Sequence, residues 1–193
     1  MTLLIIGLII FIGSHVFTTL RPQREGAIAA LGAGPYKGLY SLVALAGFAL
    51  IVIGFGQYRA GGYEPVWHPP AWTRHITMTL MWFSFVALAA TGKGPRGRIA
   101  GWLRHPMLVG VKIWALAHLL VKGDLGSMIL FGSLLAFAVY DRIAVKRRGD
   151  TGAPRMAAFN RSDAIAVGAG TIAYLAMLFY LHPLLIGVPI LTR

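Results

Sequence analysis

The chain has 193 residues, 57% hydrophobic and only 12% charged, with a formal net charge of +12 and no cysteine. That balance excludes an ordinary soluble domain and points to an integral membrane protein. The missing cysteine excludes disulfides, thiolate haem ligation, iron–sulfur clusters and a cysteine nucleophile, so any metal chemistry rests on His, Asp, Glu or Met.

Six apolar runs follow one another and predict an all-α, polytopic membrane helical bundle that forms a single domain over residues 1–193. A β-barrel would need alternating segments of about ten residues, whereas these runs are continuous and longer. The first, Thr2–Leu20, has no Lys or Arg before it and no small-residue cleavage site after it, so a retained anchor is expected. Tyr36–Gln57, His75–Thr91, Met107–Val121, Leu125–Tyr140 and Ala164–Leu185 complete the set. Met107–Val121 is the shortest at about fifteen residues and carries Lys112 and His118, which places it inside the bundle. Five spans with a re-entrant fourth segment is the alternative.

Basic residues set the expected orientation. Arg21, Arg24 and Lys37 follow the first run; Lys93, Arg96, Arg98 and Arg104 follow the third; Arg142, Lys146, Arg147, Arg148, Arg155 and Arg161 follow the fifth. The other loops and the C-terminus hold only Arg59, Arg74, Lys122 and Arg193. The positive-inside rule then puts both termini on the periplasmic side of a bacterial inner membrane. The net charge reads as topology signal and contact with anionic headgroups of the lipid bilayer. Short membrane-flanking clusters offer no soluble binding surface, which argues against nucleic acid as a partner. The loop Lys146–Arg161, with Pro154, Met156 and Phe159 among basic residues, is expected to lie flat at the interface.

The chain contains no GxSxG, Walker A or HExxH motif, and its six acidic residues sit in loops or at span ends. Histidine is the remaining chemical resource. His15 lies in GSHVFTTLRPQR, His68 and His75 in YEPVWHPPAWTRH, His105 and His118 in RHPMLVGVKIWALAH, and His182 before Pro183. A neutral imidazole on a membrane helix is suited to haem iron, because Nε2 donates a lone pair while the helix holds the ring. At span ends, as for His68 and His182, hydrogen bonding to headgroups or backbone is the competing role. The deeper His15 and His118 each have an aromatic residue one turn earlier, Phe11 and Trp114.

Thirteen residues separate His105 from His118, about 20 Å of rise and about 220° of rotation, so one regular helix cannot bring both to one iron. On the expected topology His15 is about 8 Å from the cytoplasmic boundary and His118 about 20 Å. Depth alone therefore matches His15 with His105 and His75 with His118, and two sites remain open. Lys112 shares a helix face with His105. It either snorkels to the boundary or joins Arg104 in binding an anion such as a haem propionate, a carboxylate or a phosphate, with Asp141 or Asp163 as counter-ion.

The first-span GSHVFTTLRPQR, the loop WHPPAW, and above all RHPMLVGVKIWALAHLLVKGD followed by a span ending in YDR, resemble the NnrU family of bacterial membrane proteins, as far as about Arg148. NnrU proteins are associated with denitrification, in nitrite and nitric oxide reduction. A related plant branch, the 15-cis-zeta-carotene isomerase, uses haem b to isomerise a polyene. The resemblance implies haem b with His15 and His118 as axial ligands, and redox or isomerase-type chemistry on a hydrophobic or small ligand. A thiolate-dependent ligand exchange would not transfer to this chain. A non-enzymatic accessory or assembly factor, with a membrane reductase as partner, is the alternative. Arg104-His105-Pro106 to Gly110 is also similar to the RHP segment of small membrane methyltransferases, which hold S-adenosylmethionine. No acidic residue follows Asp163, so that cofactor site looks incomplete and methyltransfer is the distant alternative.

Overall fold

A computed structural model describes residues 1–92 and 96–191, so Lys93 and Arg193 of the basic clusters lie outside the described residues. The elements are α1 (Thr2–Thr19), α2 (Arg21–Leu31), α3 (Ala33–Ala60), α4 (Thr73–Ala89), α5 (Arg98–Leu103), α6 (Pro106–Leu119), α7 (Leu125–Arg147) and α8 (Arg161–Ala176). A π turn (Met177–Leu181) and α9 (His182–Ile186) continue α8. The all-helical expectation is met. Among the described residues four helices are long and apolar enough to cross a membrane: α1, α3, α7 and the continuous run Arg161–Ile186. The other two of the six expected spans are shorter, α4 at 17 residues and α6 at 14. At 1.5 Å per residue they reach about 26 and about 21 Å, against about 30 Å of hydrocarbon.

Two compact units are present. The first comprises Met1–Pro69 and Lys122–Val145. In it α1 and α3 run antiparallel, with Gly7 against the backbone of Ile51, Gly47 against Phe11 and Gly54 against Leu3 and Leu4. Gly47 and Gly54 are seven residues apart and so share a face. Lipid tails are as apolar as leucine, so helices in a bilayer gain little from burying apolar surface and pair by close backbone approach, which glycine permits. Leu4 is fully buried at this crossing. α7 runs parallel to α1, as the pairs His15–Phe137 (ring centroids 5.7 Å apart) and Thr19–Tyr140 (hydroxyls 3.0 Å apart) show. Its start is stapled to the segment after α3: Val66 and Trp67 donate to the Gly123 carbonyl at 2.7 and 3.0 Å, and Leu125 donates to Glu64 at 2.9 Å. The chain between, Pro70–Val121, thus leaves and returns at one place.

α2 follows from Pro22 in its first turn and good helix formers after it, and it ends at Gly32, whose φ of 84° suits glycine. It buries none of its residues and is polar on average, so it does not register as an apolar run.

The second unit comprises Pro70–Val121 and Lys146–Arg193. α4 lies between α6 and α8 and is antiparallel to α6. Ser84, wholly buried, donates to the Gly110 carbonyl at 2.8 Å, and Thr77 donates to Ala117 at 2.9 Å. On the α8 side Gly170 abuts the Val86 backbone, and the Trp82 indole donates to the Thr171 hydroxyl at 3.0 Å. Pro183 has no N–H to give and crowds the preceding turn, which accounts for the π turn before it.

Asp163 fixes the start of α8. It forms a capping box with Asn160, and its carboxylate, 2% exposed, accepts from the backbone N–H groups of Asn160 (2.9 Å), Arg98 (2.9 Å) and Ile99 (2.8 Å). The carboxylate is committed to amides, so it is not the counter-ion of Arg104 or Lys112 that the sequence suggested.

Two stability predictions follow from these contacts. Gly54→Leu should cost at least about 1–3 kcal/mol through overpacking. Gly56→Leu, where a Cβ meets nothing within 4 Å, should leave the thermal midpoint in detergent nearly unchanged. Asp163→Ala, which strips the acceptor from three amides, should cost about 2–4 kcal/mol, with Asp163→Asn intermediate because one carbonyl oxygen remains.

Candidate functional site

His15 occupies the fourth turn of α1. Its Nδ1 lies 2.7 Å from the Phe11 carbonyl oxygen, and its ring centroid lies 4.3 Å from Phe11 and 5.7 Å from both Tyr40 and Phe137. A carbonyl can only accept, so Nδ1 carries the proton and Nε2 carries the lone pair. His118, in the last turn of α6, repeats the arrangement: Nδ1 lies 2.8 Å from the Trp114 carbonyl, with the two rings 5.1 Å apart. The aromatic residue one turn earlier therefore acts twice, as ring neighbour through its side chain and as tautomer lock through its carbonyl. Metal-ligating histidines are held in this way, the second ring nitrogen donating to a fixed acceptor. His182 has the same tautomer through the Val188 carbonyl at 2.6 Å, at the exposed end of α9.

His15 belongs to the first unit, while His75, Arg104, His105, Lys112 and His118 belong to the second. Within the second, the Thr77–Ala117 hydrogen bond places His75 and His118 at the same end of the α4–α6 pair, as their matched depths require. His75 and His68 are exposed, and Lys112 is partly buried midway along α6. Among the described residues no group of three or more His, Cys, Asp or Glu could hold a metal ion.

The RHP corner is built differently. Arg104 is the one non-glycine residue with positive φ among the described residues, at φ 62° and ψ −51°, and His105 N–H donates to the Leu103 carbonyl at 2.7 Å. That is a γ-turn of the rarer, strained hand. A strap holds it in place. Ala153 N–H donates to the Arg104 carbonyl at 2.7 Å, and Arg104 Nη1 donates to the Ala153 carbonyl at 3.0 Å. Gly152, at φ 71°, lies so close that a Cβ there would overlap the Arg104 carbonyl and stand 2.8 Å from His105 Nε2. His105 Nε2 is buried under this strap with no hydrogen-bond partner, so in this conformation it meets no external ligand. The strap also corrects the expectation that Lys146–Arg161 lies flat: Ala153 is buried and Pro154 packs against Gly101, while Met156 and Phe159 stay exposed.

Two residues outside the sequence-predicted site set shape this end of the second unit, Gly152 as the strap over His105 and Asp163 as the anchor of α5. The signal for the first was the glycine pair in RRGDTGAP, and for the second the Asn-Arg-Ser-Asp capping pattern. Gly152→Ala forces an unfavoured φ and a collision at once, so the strap should lift. Trypsin should then cleave at Arg148 and Arg155 several times faster than in the native chain, whereas Gly168→Ala, which faces open space, should change nothing.

A family model described as NnrU protein matches residues 3–190, nearly the whole chain and well past Arg148, where the sequence resemblance was expected to end. No curated protein and no solved structure gives a significant match. The chain belongs to the NnrU family.

Proposed function

We propose that this protein is a haem b-binding, multi-pass protein of the bacterial inner membrane, in which His15 and His118 would hold the haem iron. The observation that carries this reading is the shared lock on the two imidazoles, each with Nδ1–H on the carbonyl four residues earlier and the lone pair on Nε2. The donor set fits the group. A porphyrin brings four nitrogens of its own, so it needs only one or two protein donors, in keeping with the lack of larger ligand clusters among the described residues. Bound there, haem would supply redox or isomerase-type chemistry on a hydrophobic or small ligand. The link to denitrification comes from the family resemblance. Arg104 and Lys112 are the cations available for propionates, although Arg104 Nη1 is engaged by Ala153.

Six crossings with both termini periplasmic is the topology we favour. α1 and α7 run parallel and α3 antiparallel to α1, and the staple at Gly123 returns the chain to the end of α3. An even number of crossings therefore separates α3 from α7. This favours a crossing hairpin of α4 and α6 over a single re-entrant segment. The hydroxyls of Ser84 and Thr77 on α4 find their acceptors on α6, as polar groups of helices inside a bundle require.

Purified protein should show a Soret band that shifts on reduction, and His15→Ala and His118→Ala should each displace or abolish it. A colourless protein, or a band indifferent to both substitutions, would overturn the haem reading and leave the accessory-factor alternative.

A further inference from the structure

The basic end of the second unit carries a prebuilt aromatic bracket. Arg98 Cζ lies 4.7 Å from the Trp102 ring centroid and 5.6 Å from that of Phe159, and the two rings stand at 90° with centroids 5.9 Å apart. Arg98 and Trp102 are four residues apart on α5 and so share a face. Phe159 comes from the segment just before the Asn160 cap, and three contacts hold it beside them. Asp163 grips the amides of Arg98 and Ile99, the capping box fixes Asn160, and Asn160 Nδ2 donates to the Arg96 carbonyl at 3.0 Å. The carboxylate of Asp163 accepts from backbone amides, and the guanidinium of Arg98 lies against the two rings.

Both rings face outward, Trp102 at 61% exposure and Phe159 at 57%. Exposed Met107 begins α6 beside this corner, and exposed Met156 precedes Phe159. Arg96, Arg104, Arg155 and Arg161 belong to the same end. A cation set among exposed apolar side chains, where apolar helices end, matches one ligand chemistry: a phosphate with hydrocarbon attached. Tryptophan at the end of a membrane helix sits at headgroup level, and basic residues there attract anionic lipid.

We propose that Arg98, Trp102 and Phe159 form a binding site for the headgroup of an anionic phospholipid. The phosphate is drawn by Arg98, and the glycerol and first methylenes lie over Trp102 and Phe159. The site uses neither His15 nor His118, so the proposal holds whether or not the protein carries haem.

The test uses the full chain reconstituted in phosphatidylcholine vesicles doped with equal amounts of either dibrominated phosphatidylglycerol or dibrominated phosphatidylcholine, with tryptophan emission as the readout. Bromine quenches on contact, and a single guanidinium should enrich the anionic lipid about fivefold at its site. The phosphatidylglycerol probe should therefore quench more strongly. That excess should vanish in Trp102→Phe, which removes the reporter, and fall in Arg98→Gln, which keeps both the reporter and the backbone amides that Asp163 grips. Equal quenching by the two probes would overturn the proposal. So would an excess that persists in Trp102→Phe, since it would then arise at Trp67, Trp72, Trp82 or Trp114, or one undiminished in Arg98→Gln, since it would then arise without Arg98.

Discussion

No water enters the hydrocarbon core, so each polar group there must find its partner inside the protein, and most of the described contacts answer that constraint. Ser14, Thr18 and Thr19 turn their hydroxyls back onto carbonyls of α1 at 2.7 Å, and Thr79 does the same on α4 at 3.1 Å. Ser84, Thr77 and Trp82 reach across to neighbouring helices. The histidines obey the same rule, and this makes them chemically useful. An imidazole that satisfies its N–H on its own helix has one nitrogen fixed as donor and the other fixed as lone pair, without the help of a carboxylate.

Helix pairing answers the second half of that constraint. With no gain from burying leucine against leucine, α1 and α3 meet where Gly7, Gly47 and Gly54 let backbones touch, and α4 meets α6 and α8 at Gly110 and Gly170. Apolar side chains meanwhile point outward along all these helices: Ile9, Leu42, Leu45 and Ile172 are each more than 60% exposed, as lipid contact requires. The unit cores are consequently small and built from Ala, Gly and Ser as much as from large hydrophobes.

The apolar runs could be read from the sequence because hydropathy is a local property: the six runs coincide with α1, α3, α4, α6, α7 and the α8–α9 continuation. Lengths were less accessible, since hydropathy does not mark where a helix stops: α4 and α6 have 17 and 14 residues. α2 went unread because its eleven residues are polar on average, and a search for continuous apolar runs passes over such a helix. α5 went unread because its six residues are held by distant partners, above all a carboxylate 64 and 65 residues away. The covering of His105 was out of reach for the same reason, since Gly152 meets it from beyond α7. At the site, the aromatic residue one turn before each deep histidine was visible, but hydrogen bonding by its carbonyl was not, because residue spacing describes side chains and this lock uses main chain.

The stretch from Arg104 to His118 was separable into two parts by rotation and depth, and the structure supplies the physical difference between them. The state of His105 depends on tertiary contacts: a strained turn at Arg104, a doubly bonded strap at Ala153 and a glycine over the ring. If the strap moves, the exposure of Nε2 changes with it. His118 Nδ1 is held by the Trp114 carbonyl of its own helix, and His15 Nδ1 by that of Phe11. These two contacts are local to α6 and α1. An imidazole whose N–H bonds its own helix keeps that contact while the helix is intact, whereas a nitrogen beneath a strap gains or loses access as the strap moves. That difference separates His15 and His118 from the corner whose exposure the strap governs.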